Sequence, residues 1–140
     1  MPVAPAWPLS ILLLVASVGG GHIIDYLYSL PDVEIEYTSV SWQHATITFE
    51  CGLASAPLHA KSIHADFVMV YHSGLWPYPS RFRIAQSDME AYHELRDEVH
   101  QNCNITLGPK DLTYIDFQSK NETYVEIQNK RVLLSEVGRW

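Results

Sequence analysis

Seven histidines among 140 residues are the first place to look for chemistry. Glu90, His93 and His100 fall at helical spacing, so a helix over 88–102 would set a carboxylate and two imidazoles near one side. A carboxylate and an imidazole at i,i+3 can share a metal ion, but a di-metal bundle needs a matching motif from a second helix. No second helix is legible, and the same spacing gives ordinary solvated pairs on a helix surface. The expectation is therefore a charged outer face, with no metal ligands and no cofactor.

His59, His64 and His72 lie in or beside a β-favouring run, where His64 and Asp66 project to one face at period two. An imidazole oriented by a carboxylate is half of a nucleophilic triad. The other half is missing, since the chain lacks a G-x-S-x-G elbow and holds no cysteine outside an expected bridge. No catalytic residue is assigned, and a small secreted hydrolase of the histidine and carboxylate type is kept as an alternative.

The two cysteines, Cys51 and Cys103, are an even count, which in an exported chain implies one disulfide. Neither has a second cysteine at the short spacing that zinc sites use. Asn104-Ile-Thr106 and Asn121-Glu-Thr123 fit the N-glycosylation acceptor pattern, which makes Asn104 and Asn121 expected solvent-facing glycan sites. A bridged pair of strands invites comparison with an immunoglobulin domain, which places a tryptophan soon after its first cysteine and a tyrosine two residues before its second. Here Trp76 is the next tryptophan after Cys51 and Gln101 stands two residues before Cys103, so both landmarks fail.

Leu75-Trp-Pro-Tyr-Pro79 joins two large aromatics to two prolines in what should be a loop. Stiffened aromatics offer contact area at low entropic cost, so Trp76 and Tyr78 are the candidate binding residues. The competing expectation is that Trp76 folds back to cap the core, as large aromatics are mostly buried.

Periodicity sets out the strands and the helix that carry these residues. Val33–Tyr37 and His44–Cys51 alternate as half-buried strands, with Cys51 pointing inward. The run within Ile63–Tyr71 suits a central strand, and Arg81–Ile84 a short one behind the proline loop. Ser87 and Glu90 match a capping box for the helix, whose buried stripe should be Met89, Tyr92, Leu95 and Val99. Leu112–Phe117, Thr123–Gln128 and Arg131–Leu134 then form an antiparallel meander. The expected fold class is α+β and mainly antiparallel: sandwich-like, about six or seven short strands, one helix near 88–102 and one disulfide.

Length allows one domain, and 47% hydrophobic with 18% charged residues is a globular balance. The first charged side chain is Asp25, and Leu9–Val18 is an apolar run followed by Gly19, Gly20 and Gly21. That pattern reads as a cleaved signal peptide over 1–21, leaving a single secreted domain over 22–140. The apolar run is shorter than the ~20 residues that span hydrocarbon, so no stable membrane insertion is expected after cleavage. A net charge of −7, with basic residues spread singly apart from Lys130-Arg131, argues against a nucleic-acid partner. The functional expectation is an extracellular binding module for a protein partner, with the hydrolase and a carrier of a small hydrophobic ligand as alternatives.

Overall fold

The computed structural model describes residues 23–52 and 60–140. The expected signal segment, residues 1–21, and His59 lie outside the described residues. The chain runs β1 (Ile23–Leu30), β2 (Val33–Val40), β3 (His44–Cys51), β4 (Lys61–Gly74), β5 (Ser80–Ile84), α1 (Met89–Cys103), β6 (Tyr114–Ser119), β7 (Glu122–Ile127), β8 (Lys130–Leu133) and β9 (Ser135–Arg139). Every strand pairing is antiparallel, in the order β8-β7-β6-β5-β4-β3-β2-β1-β9. The two edge strands are consecutive in the chain, separated only by Leu134, whose amide bonds to the Thr123 carbonyl. The sheet therefore nearly closes on itself as a barrel.

Two features differ from the sequence expectation of a sandwich with six or seven short strands. There are nine strands among the described residues, and β4 is 14 residues long. Its first half pairs with β3 from Lys61 to Val68, and its second half pairs with β5 from Met69 to Gly74. One long strand thus carries the sheet around a corner, and the β8–β9 crossing turns the opposite one.

Tight turns hold the register. Ser41 and Trp42 both take positive φ, 52° and 60°, as do Gln128 and Asn129 at 53° and 64°. Paired left-handed residues twist a hairpin in the same sense as its strands. Alternation then sends one face inward: Val33, Ile35 and Tyr37 from β2, Ala45, Ile47 and Phe49 from β3, and Phe67 and Met69 from β4. These side chains fill the interior, as a barrel of about eight strands allows.

Helix α1 covers the free edge of the lower half of β4. Tyr92, Leu95 and Val99 are its buried residues, Met89 packs partly against the core, and the Tyr92 ring meets Phe67 at 6.4 Å. The capping box does not form. Asp88 is the N-cap and makes no capping bond; its carboxylate instead accepts the Val68 amide at 2.6 Å. An amide on the edge of β4 turned away from β3 thereby takes the nearest carboxylate from the helix terminus.

The Cys51–Cys103 disulfide joins the end of β3 to the last turn of α1, with Cα atoms 5.6 Å apart. Asp111 anchors the segment leading into β6: fully buried, it accepts the amides of Gly108, Gln128 and Asn129 at 2.7, 2.6 and 3.3 Å. One carboxylate thus supplies partners for a loop and for the β7–β8 turn.

Candidate functional site

The end of the barrel formed by the β2–β3 turn, the β4–β5 loop and the β6–β7 turn carries a chain of aromatic rings. Trp76 meets Trp42 edge-to-face at 5.5 Å, Trp42 meets Phe117 at 6.2 Å, Phe117 meets Phe82 at 5.8 Å, and Phe82 meets Tyr71 at 5.8 Å. The ends are exposed and the middle is core: Trp76 is 61% and Tyr71 52% accessible, whereas Phe82 and Phe117 are 6% and 2%. Leu75, at 71%, stands beside them. Edge-to-face contacts add about 0.5–1.5 kcal/mol each beyond burial, so the outer rings are held by the inner ones.

Local backbone chemistry shapes the loop. Gly74 has φ 97°, and a Cβ there would lie 2.3 Å from the Pro79 carbonyl oxygen, so only glycine fits. The Leu75 amide bonds to that same oxygen at 2.7 Å, and the Ser80 hydroxyl donates to the Pro77 carbonyl at 2.7 Å. The peptide bonds preceding Pro77 and Pro79 are both cis. Tyr78 packs differently from Trp76: it lies partly buried against the core, whereas Trp76 is exposed. The loop therefore presents Leu75 and Trp76 and roots itself with Tyr78.

Sequence reasoning missed Trp42, which supports Trp76. Its only signal was a tryptophan in the short Ser41-Trp-Gln43 link between two alternating runs.

The histidine groupings do not assemble. His64 and Asp66 are both exposed on the outer face of β4, but the Asp66 carboxylate accepts the Thr46 hydroxyl at 2.6 Å and is engaged across the strands. His72 is exposed, with Nδ1 3.0 Å from the Ser73 hydroxyl and its ring against Tyr114. His93 and His100 lie on the solvent side of α1, with His100 near the Thr106 hydroxyl at 3.4 Å. Among the described residues, no three of His, Cys, Asp and Glu converge as a metal site.

The two sequons differ in setting. Asn104 is exposed at the end of α1, in the left-handed conformation, beside the disulfide and so at the barrel end opposite Trp76. Asn121 is exposed in the β6–β7 turn, at the Trp76 end. Thr123 of that sequon is buried, and its hydroxyl donates to the Tyr26 phenol at 3.2 Å.

Electrostatics divide the outer surface. Asp25, Glu34, Glu36 and Glu50 share the outer face of β1–β3, where burial, aided by Asp25 and Glu50, raises the Glu36 carboxyl above its ordinary value. Inside, burial raises the phenols of Tyr26, Tyr37 and Tyr92. Among the described residues no helix is long and apolar enough to cross a membrane. Comparison with protein-family models, with curated proteins and with solved structures returned no match.

Proposed function

We propose that this chain is a small secreted glycoprotein that acts as an extracellular binding module, engaging a protein partner through the aromatic rim of its barrel. In this reading residues 1–21 are a signal peptide removed on export, and Asn104 and Asn121 carry glycans. The observation that carries the proposal is a contradiction in Trp76: the ring is 61% exposed, yet it is fixed edge-on against Trp42 rather than left free. Exposing indole, tyrosine and leucine together sacrifices hydrophobic burial, and a partner that covers them would recover it. Fixing the ring beforehand lowers the entropy lost on association.

The placement of the sequons supports the same surface. A glycan at Asn104 would sit at the far end of the barrel. One at Asn121 would flank the rim on the β6–β7 side, leaving the β4–β5 side for the partner. The interior is filled by Ile35, Tyr37, Ile47, Phe49 and Phe67, each 0–2% exposed, which favours the binder over a carrier with a ligand cavity.

The test is capture from tissue or cell-surface extract with the tagged secreted protein, run beside a Trp76→Ala form of equal thermal stability. A partner retained by the first and lost by the second supports the reading. Partners retained equally by both remove the rim from the interface.

A further inference from the structure

The basic residues are scattered in sequence but not in space. Arg81 and Arg83 of β5, Lys110 before β6 and Arg131 of β8 line a run of three adjoining depressions, of about 410, 280 and 280 Å3. Arg81 and Asp116 form the wall between the first depression and the second, and Tyr114 the wall between the second and the third. The result is a groove along the outer face of β5, β6 and β7, from the Gly74 and Pro79 end to Lys110. Four cations face two carboxylates in it, Asp116 and Glu126, in a chain whose net charge is −7.

Two of the three guanidinium groups are held by ring and carboxylate contacts, while Arg83 donates to the Ile84 carbonyl at 3.2 Å. Arg81 lies over the Tyr114 ring at 4.6 Å, with its Nε 2.8 Å from Asp116, and Arg131 lies over Tyr124 at 3.7 Å, with its Nε 3.7 Å from the same carboxylate. A guanidinium held flat on an aromatic face loses little freedom when a tetrahedral oxyanion arrives, and its remaining N–H groups form a fork suited to one. Their side chains stay 45% and 54% accessible.

We propose that this groove binds an extended sulfated polysaccharide, with Arg131 meeting one sulfate, Arg83 and Lys110 the next along the groove, and Arg81 held between Asp116 and the ligand. Two observations choose this polyanion over others. The backbone of β5–β6–β7 is occupied by the ladder, so a peptide laid on this face would find no main-chain partners. The rings of Tyr114 and Tyr124 are covered by arginine, so they are not open platforms for the stacked bases of single-stranded nucleic acid.

The experiment titrates the folded protein with a heparin oligosaccharide in low salt, and with its desulfated counterpart, poly-glutamate and a single-stranded DNA of equal charge. Heparin should bind, and the other three should bind at least about tenfold more weakly. Arg83→Glu with Arg131→Glu should lose about tenfold or more in affinity, and Arg83→Gln with Arg131→Gln a smaller share, which keeps the test open if the reversed pair folds poorly. Lys61→Glu changes net charge equally to one reversal but lies at the start of β4, away from the groove, and should leave affinity within about twofold. Trp76→Ala should also leave heparin binding intact, which separates the groove from the aromatic rim. Absence of heparin binding, equal loss in Lys61→Glu, or equal affinity for any of the other three polymers would overturn the proposal.

Discussion

Tyr37 offers a sharp test of the interior. It is 1% exposed, and its hydroxyl has the Met69 sulfur at 3.8 Å as an acceptor. A thioether is a weak acceptor, so little offsets the cost of placing a phenolate there. Burial therefore raises the Tyr37 phenol far above its ordinary range. The native state holds this proton more tightly than the unfolded chain does. The stability it contributes is complete below the unfolded value of about 10 and is lost as pH rises beyond it. Each such proton steepens the loss by about 1.4 kcal/mol per pH unit. Against a net stability of about 5–15 kcal/mol, that slope brings unfolding within reach of an alkaline titration. The assay follows phenolate absorbance and far-ultraviolet circular dichroism together while stability is measured at stepped pH. Tyr37→Phe should cost about 1 kcal/mol or less at neutral pH and flatten the alkaline slope by about 1.4 kcal/mol per unit. The reasoning fails if the variant keeps the wild-type slope, or if Tyr37 ionises while the barrel signal stays intact.

Three further outcomes follow from the same geometry. The disulfide closes a separation of 52 residues, so replacing both cysteines by alanine should lower unfolding free energy by about 4 kcal/mol in denaturant titration. Asp111→Ala would strand the amides of Gly108, Gln128 and Asn129, with a cost of about 3 kcal/mol or more in the same assay, and Asp111→Asn should recover part of it. Secretory expression should yield material beginning near residue 22 whose mobility shifts with N-glycosidase. Asn104→Gln with Asn121→Gln should abolish the shift, and changing the asparagines spares the buried Thr123 bond to Tyr26.

Local periodicity made some of this molecule legible and long-range pairing hid the rest. The stripe of Tyr92, Leu95 and Val99 and the alternation in β2 and β3 are set by neighbours in sequence, and they could be read directly. Strand β1 was missed because Asp25, Tyr26, Leu27 and Tyr28 blur its period, and only pairing with both β2 and β9 defines it. Closure depends on the stagger of β4 and on Leu134 bonding back to Thr123, neither of which leaves a local signature. Trp76 and Tyr78 were picked out by residue type, but their different roles depend on packing that is not local: Trp76 rests on Trp42, brought beside it by a left-handed turn, and Tyr78 on the core. The cationic groove escaped for a related reason: Arg81 and Arg83, Lys110, and Arg131 come from three segments that meet only when β5, β6, β7 and β8 align.

The proposed rim stands or falls on Trp76→Ala, measured for partner affinity and thermal midpoint on one preparation. The ring is mostly exposed and, among the described residues, has Trp42 as its edge-on aromatic neighbour, so its removal should cost the fold only about 1 kcal/mol. A binding anchor should lose about 2 kcal/mol or more of affinity, roughly thirtyfold in Kd. A secreted, normally melting variant that binds at least about thirtyfold more weakly is the result predicted. A stability loss of about 3–5 kcal/mol with collapsed secretion would make Trp76 a core cap, and unchanged affinity in a stable variant would remove it from the interface.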